Sequence, residues 1–436
     1  MDLKYMFFAQ HSQLIYQFFS FPIALLYYSL ARQRCLSLTS RYIYLMLGGC
    51  VLAVVTMGPY CWLVFVPAVA SALLVHTACP LQIHAWVFGT QMCWQSFWHL
   101  FIQYNEYWLQ EPTDNRLLLA VSSLMLLTQR VTSVSMDLQE GKLTPQPSGM
   151  ENPGSTTPML YYLSYTLYFP ALLGGPLCSF HRFVSFVEQS TVSPPPQPLY
   201  VVCWKASLVL GLEWVKYLLV DLIEHHSIGL AHLSAVQGIL WVWALSLAFR
   251  LSYYSHWALS ECLNNAAGLG FRGYTGTGIP QWDGLSDGDP WSLETCSRLS
   301  VFARRWNGTT AAWLRRLVFQ RCRTAPLLMT FVFSAWWHGL HPGQVLGFLI
   351  WGATVKADYC IHCCIFPLLT TPWKQLVYKC LSWMHTQLVI ACVVVAVELR
   401  SACFMWLFCR TYISAFIAFL YILLLFICYK NTPANE

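Results

Sequence analysis

Charge is what this sequence has least of: Asp, Glu, Lys and Arg make up 10% of its 436 residues, against about 25% in a typical soluble domain. With 57% hydrophobic residues and a mean hydropathy of +0.49, that shortage excludes a disordered chain, a coiled coil and an ordinary soluble enzyme. Acidic residues are the scarcer sign, 19 against 25 Lys and Arg, and the surplus of +6 belongs beside membrane spans. Basic residues interleaved with aromatics in a groove, as single-stranded nucleic acid requires, are missing, so no nucleic-acid partner is expected. Histidine-rich boxes are missing too. The 13 histidines are scattered, with His225-His226 and His338/His341 as the close groupings, which excludes a di-iron desaturase. There are 18 cysteines but no framework for them. Cys50, Cys93, Cys203, Cys392 and Cys428 lie in apolar runs, where cysteine behaves as a small hydrophobe, and disulfide frameworks belong to small secreted chains. Cys360-Ile361-His362-Cys363-Cys364 holds a CxxC with no second one to complete a zinc site, so no metal is expected. It reads as a span end, suited to packing or palmitoylation. No internal repeat is present, which disfavours transporters built from repeated halves.

What is present is a succession of long apolar runs. A helix needs about 20 apolar residues to cross the hydrocarbon core. Runs of that kind cover 12–31, 41–58, 60–78, 83–103, 116–136, 159–180, 199–222, 230–254, 326–340, 343–363, 375–398 and 402–429. Their residues do not alternate as the strands of a membrane barrel would. The expected fold is all-α: one multi-pass membrane domain over 1–436, with about 11 transmembrane or re-entrant helices. Met1-Asp2-Leu3-Lys4 leads into a retained first span rather than a cleaved signal peptide, and the C-terminus carries no KDEL-type address. Polar loops rich in Pro, Ser, Gly or Asp are expected at 137–158, 185–198 and 264–298. The last contains two decoys. Gly268-Leu269-Gly270-Phe271-Arg272-Gly273 spells GxGxxG without the strand that must precede a dinucleotide fingerprint. Gly284-Leu285-Ser286-Asp287-Gly288 spells GxSxG among turn residues rather than at a strand-to-helix elbow.

The chemistry is expected between about 298 and 351. Six arginines (Arg304, Arg305, Arg315, Arg316, Arg321, Arg323) fall within 20 positions with almost no acidic neighbour. Residues 311–323 fit an amphipathic helix, with Trp313, Leu314, Leu317 and Val318 on one face and Arg316, Gln320 and Arg323 on another. Two readings stand side by side: anchoring on a cytoplasmic loop, or a site for a phosphorylated ligand such as coenzyme A, whose phosphates suit the guanidinium fork. Asn307-Gly308-Thr309 is a glycosylation sequon, but beside six arginines it reads as cytoplasmic or buried. Downstream, His338 closes the apolar run Phe331-Val332-Phe333-Ser334-Ala335-Trp336-Trp337, and Gly339 loosens its end. An ionisable residue at membrane depth faces a cavity or a partner, and imidazole is the side chain best suited to take a proton near neutral pH. A histidine satisfied by a backbone carbonyl is the competing reading. His341, before Pro342-Gly343, reads as interfacial. Arg130, Glu213, Lys216, His256, Lys356, Asp358, His385 and Glu398 are further candidates for buried pairing.

Arg305-Trp306-Asn307, with a histidine 31 positions later in Ser334-Ala335-Trp336-Trp337-His338-Gly339, resembles the membrane-bound O-acyltransferase (MBOAT) family. The segment from Phe169-Pro170 through Gly174-Gly175-Pro176 to Phe180 is similar to the family's FP…GP stretch. Residues 127–131, 253–257, 300–316, 334–344 and 385–388 extend the likeness to members that acylate a peptide; the loops 137–158 and 264–298 fall outside it. The resemblance implies a helical fold with a central catalytic tunnel in the endoplasmic reticulum membrane. It implies Asn307 and His338 as the catalytic pair, octanoyl-CoA as co-substrate with no bound cofactor, and a serine hydroxyl of a peptide hormone as acceptor. His338 would act as general base and Asn307 would orient the donor or hold the oxyanion. Arg304, Arg305, Trp306, Arg315, Arg316, Phe331 and Trp351 are the expected acyl-CoA contacts. Phe331, Ser334/Ala335 and His338 share a helix face, and Gln344, Phe348 and Trp351 repeat the spacing on the next helix; the aromatics there either close an acyl pocket or simply face lipid or core. The alternatives are acyl transfer to a lysophospholipid or sterol, and a proton-coupled transporter using the buried His and Glu.

Overall fold

Backbone polar groups have no water to bond in hydrocarbon, so a chain this apolar must satisfy them within helices. The computed structural model describes residues 13–142, 157–189, 195–227 and 235–400. In chain order its helices are α1 (Phe21–Arg32, continuing a helical run from Gln13), α2 (Leu38–Met57), α3 (Trp62–Thr77), α4 (Ile83–Gln103), α5 (Asn115–Gln139), α6 (Thr157–Leu167), α7 (Phe180–Gln189), α8 (Leu199–Ser227), α9 (Ala235–Ala266), α10 (Pro290–Glu294), α11 (Leu299–Arg305), α12 (Gly308–Leu314), α13 (Pro326–His338), α14 (Pro342–Ile365) and α15 (Pro372–Leu399). The strands among the described residues are Gly273–Tyr274 (β1) and Pro280–Gln281 (β2), an antiparallel pair in register Gly273↔Gln281. Helices thus occupy eleven of the twelve apolar runs, and the run 402–429 lies outside the described residues. Among the described residues, four stretches are long and apolar enough to cross a membrane: Gln13–Arg32, Leu38–Thr77, Asn115–Gln139 and Pro372–Leu399. The Leu38–Thr77 stretch is bent at Gly58-Pro59, where Gly58 takes φ +54°, so α2 and α3 are separate.

Contacts divide the chain into two units: 1–211 with 255–287, and 212–254 with 288–436. The first unit holds α2 to α6, packed on a core of Leu, Val, Ala and aromatic residues. Pro67 inside α3 has no N–H and leaves the Leu63 carbonyl without its helical donor. Trp94 of α4 donates its indole N–H to that carbonyl at 3.1 Å, and Gln91 donates to Pro67 O at 3.0 Å. α2 passes close to α6: a Cβ on Gly49 would fall 1.5 Å from the Leu167 carbonyl oxygen, so only glycine fits there. Ser164 bonds Tyr42 O at 2.9 Å and the Tyr42 and Tyr161 rings stack at 4.0 Å. Arg130 is satisfied without a carboxylate, by Thr166 O at 2.9 Å and the face of Tyr168 at 5.1 Å.

The apolar run 159–180 is not one span. α6 stops at Leu167, a 3₁₀ turn follows at Phe169–Ala171, and the chain runs on to α7 without further helix. At about 1.5 Å per residue, the 11 residues of α6 reach roughly half of a hydrocarbon core. Pro170 cannot donate to a helix and Gly175 takes φ +112°, yet Phe169, Ala171, Leu172 and Leu173 are buried. Their hydrophobicity serves an interior turn. α9 departs in the other direction, extending past the expected end at 254 to Ala266.

A candidate acyl-transfer site in the second unit

Asn307 stands between two short helices. α11 ends at Arg305, Trp306 is extended, and Asn307 caps α12 in the left-handed region at φ +46°, ψ +63°. Asparagine is among the few side chains that enter this region readily. Its Oδ1 accepts from the Thr310 N–H at 3.4 Å. That contact turns the carbonyl end inward and leaves the amide NH₂ end to donate. α12 runs directly into a π turn at Arg315–Phe319. Trp313 and Leu317 are buried on one face as expected, while Arg315, Gln320 and Arg323 are exposed and Arg316 is half-buried. The π turn inserts one residue into the 311–323 helix that the sequence suggests, a distortion frequent at functional sites.

His338 is the last residue of α13, and Gly339 at φ +124° ends the helix. The half-buried imidazole stacks on Phe348 of α14 with centroids 4.8 Å apart and meets the edge of Trp337 at 4.7 Å. From there a continuous set of rings leads to the other catalytic candidate. Phe348 stacks on Trp351 at 6.2 Å, Trp351 meets Phe302 at 6.5 Å, and Phe302 stacks on Trp306 at 5.4 Å, next to Asn307. Phe331 joins the set through Trp351 at 5.6 Å. A Cβ on Gly352 would lie 2.9 Å from the Phe331 ring, so that glycine lets the ring lie against α14. Among the buried polar atoms here that meet no protein partner are Gln344 Oε1 and Trp351 Nε1. Buried groups of this kind are ordinarily satisfied, and an exception marks a place for a ligand or water. His341 differs from the interfacial reading: it is 3% exposed and caps the start of α14.

The expected acyl-CoA contacts separate into two groups. Trp306, Phe331 and Trp351 belong to the ring set with His338. Arg304, Arg305 and Arg315 are exposed and lie off it. Arg304 sits 6.0 Å over the Tyr359 ring, and Arg305 donates to Ser292 O at 3.3 Å and to Cys296 Sγ at 3.6 Å. Burial pushes the Cys296 thiol above its ordinary value, against the pull of the adjacent Arg305. Arg298 pairs with Asp358 at 3.2 Å, and Glu213 with Lys216 at 2.7 Å, which resolves three of the buried-pairing candidates. Lys356 is exposed instead. A cavity of about 520 Å³ in the first unit is bordered by Arg182, Arg272, Asp283, Phe186 and Phe271, not by His338 or Asn307.

Sequence reasoning misses the polar girder behind Trp306. Arg250 is fully buried and pairs with Glu294 at 2.7 Å. Glu294 also accepts from Tyr254 at 2.7 Å, and Gln387 accepts from Arg250 at 3.0 Å while donating to the Glu294 carbonyl at 3.0 Å. Tyr253 bonds Glu398, and both tyrosine rings meet Trp306 edge-on, at 5.4 and 6.0 Å. The signals available are Arg250, a charge inside the run 230–254, and Glu398, a buried-pairing candidate whose partner the sequence does not show. Glu294→Ala is expected to destabilise the protein by about 3–5 kcal/mol, because it strands a buried guanidinium, whereas Glu294→Gln keeps an acceptor and loses less. Thermal unfolding in detergent should show the larger fall in Tm for the alanine variant.

A sequence profile described as MBOAT, membrane-bound O-acyltransferase family, matches residues 62–397. The chain is 44% identical to mouse (Mus musculus) membrane-bound ghrelin O-acyltransferase over 431 residues, 98% of both chains. It is 43% identical to the rat (Rattus norvegicus) protein of that name over 425 residues, 97% of both. Human (Homo sapiens) membrane-bound glycerophospholipid O-acyltransferase 2 is 30% identical over 309 residues, 64% of this chain and 58% of that one. The profile spans most of the chain and includes both Asn307 and His338, so the chain belongs to the membrane-bound O-acyltransferase family.

Proposed function

We propose that this chain transfers an octanoyl group from octanoyl-CoA to a serine hydroxyl of the peptide hormone ghrelin or its precursor, in the endoplasmic reticulum membrane. The observation that carries the acceptor is the near end-to-end likeness to the two rodent ghrelin acyltransferases. The likeness to the glycerophospholipid enzyme covers 64% of the chain. The chain 1–436 acts as a single membrane domain with its catalytic region at 298–351, and the family profile, which runs through both contact units, supports this. No cofactor or metal takes part in this reading.

His338 takes the proton from the serine Oγ as that oxygen attacks the thioester carbonyl. The Asn307 NH₂, left free to donate by its own capping bond, stabilises the oxyanion. Collapse forms the Oγ–C ester bond, breaks the C–S bond, and returns the proton from His338 to the departing CoA sulfur. The rings of Phe331, Phe348 and Trp351 form the acyl-facing wall of a tunnel. Arg304, Arg305, Arg315 and Arg316 offer exposed or half-exposed guanidinium groups to the phosphates of CoA. Acyl-CoA enters from the cytoplasmic side and the peptide from the lumenal side.

The test is mass spectrometry of a ghrelin N-terminal peptide incubated with octanoyl-CoA and membranes carrying the protein. An octanoyl mass shift on serine is expected. Label passing to lysophospholipid instead would move the chain to the lipid-acylating branch of its family. The acyl wall carries its own expectation. Each buried methylene contributes about 0.8 kcal/mol, so length selection requires a steric stop. Phe331→Ala and Trp351→Ala should shift acceptance from eight carbons toward longer chains in competition between acyl-CoAs. An unchanged length profile in both variants would place the stop elsewhere.

A further inference from the structure

The CxxC-bearing segment at the end of α14 has no part in the proposed reaction, and its surroundings point to a use. α13 and α14 are joined by residues 339–341, and α14 and α15 by residues 366–371. Connections this short make neighbouring helices antiparallel. The C-terminal end of α14 therefore lies at the same end of the second unit as the start of α13 and the start of α15. That end is basic. Arg315, Arg316, Arg321 and Arg323 precede α13, and Lys374 and Lys379 open α15. Two further arginines touch α14 toward this end: Arg298 pairs with Asp358 and Arg304 covers Tyr359, both one or two turns before Cys363. A concentration of Lys and Arg at one end of a membrane bundle marks the cytoplasmic side.

Cys363 lies 21 residues beyond the start of α14, about 32 Å along its axis and two residues before the helix ends, at the basic end of the second unit. Cys363 and Cys364 are exposed and Cys360 is half-buried, and their spacing of three and four residues puts them along one helix face. The side chains around the turn that follows are exposed and apolar: Phe366, Leu368, Trp373 and Leu376. Such residues beside lysines form a surface that rests in the lipid interface. His362, between the cysteines, is engaged with the Tyr378 hydroxyl at 3.1 Å. Among the described residues no three His, Cys, Asp or Glu side chains are grouped to hold a metal ion.

We propose that Cys363 and Cys364 are sites of S-acylation by a long-chain acyl-CoA, which pins the cytoplasmic end of α14 to the membrane. The thiolate sulfur attacks the thioester carbonyl of the acyl-CoA. A cysteine S–C bond forms, the CoA S–C bond breaks, and the cysteine proton leaves on the CoA thiol. One thioester replaces another, so the modification is reversible.

The test is acyl exchange on the full chain expressed in cells. Free thiols are blocked, thioesters are cleaved with neutral hydroxylamine, and each released thiol receives a polyethylene glycol mass tag. The wild-type protein is expected to show at least one hydroxylamine-dependent tag, lost in Cys363→Ser/Cys364→Ser and retained in Cys35→Ser and Cys79→Ser, which remove other exposed thiols near helix ends. A second double variant, Cys363→Ala/Cys364→Ala, guards against a folding defect specific to serine. Octanoyl transfer measured on the same membranes reports that the variants fold. Absence of a hydroxylamine-dependent tag on the wild type, or its persistence in both double variants, overturns the proposal.

Discussion

His338→Ala is expected to lower octanoyl transfer by about 10²–10⁴-fold, the range that a positioned general base contributes. The environment explains why the loss should be catalytic. His338 is half-buried at a helix terminus, beyond which Gly339 and the left-handed Leu340 already break the backbone ladder, so no helical turn depends on it. Its ring stacks on Phe348 at 4.8 Å and meets Trp337 edge-on at 4.7 Å, contacts that set the plane of the imidazole. Orientation of the base counts as heavily as its pKa, because a proton moves only between atoms already in line. His338→Gln fills a similar volume and can still donate a hydrogen bond, but it cannot take up a proton near neutral pH. Both variants should therefore be inactive at near wild-type melting temperature. A glutamine variant that turned over like the wild type would reduce His338 to a positioning residue and remove the base from the mechanism.

His338 was also the residue most legible in the sequence, since a lone imidazole closing an apolar helix before glycine stands out against a background of few charges. The helices were legible for the same reason: apolar runs near 20 residues have few other ways to satisfy their backbone. The turn between α6 and α7 was not. Its residues are as hydrophobic as a span, because a turn buried inside a bundle must be apolar too, and composition cannot tell the two apart. What decides it is Gly49, more than 100 positions upstream, packed on the carbonyl that ends α6. The π turn at Arg315–Phe319 escaped notice because periodicity assumes one residue count per turn. The Arg250–Glu294 pair is not legible because its partners are 44 positions apart, one inside α9 and one at the end of the short helix α10. The turn after α6 and the Arg250–Glu294 pair are long-range contacts overriding a local pattern.

Asn307 poses a harder problem than His338, because its side chain has a structural duty alongside the chemical one proposed for it. It occupies a left-handed conformation that an alanine resists, and its Oδ1 caps α12. Asn307→Ala combines backbone strain and a lost cap, about 1–2 kcal/mol together, with the lost oxyanion donor, which alone costs about 10²–10³ in rate. Activity loss in that variant does not separate the two. Asn307→Gly does. Glycine accepts φ +46° without strain and costs only a few tenths of a kcal/mol at a cap. The glycine variant should recover the melting temperature that alanine loses and remain about 10²–10³-fold slower than wild type. The loss should fall on kcat, with the KM for acyl-CoA little changed, because the donor bonds a charge that exists only in the transition state. Recovery of turnover in Asn307→Gly would mean that the residue shapes the loop and that another group holds the oxyanion. The orphaned indole N–H of Trp351, a buried donor in the ring set that includes His338, would then be the first alternative to test.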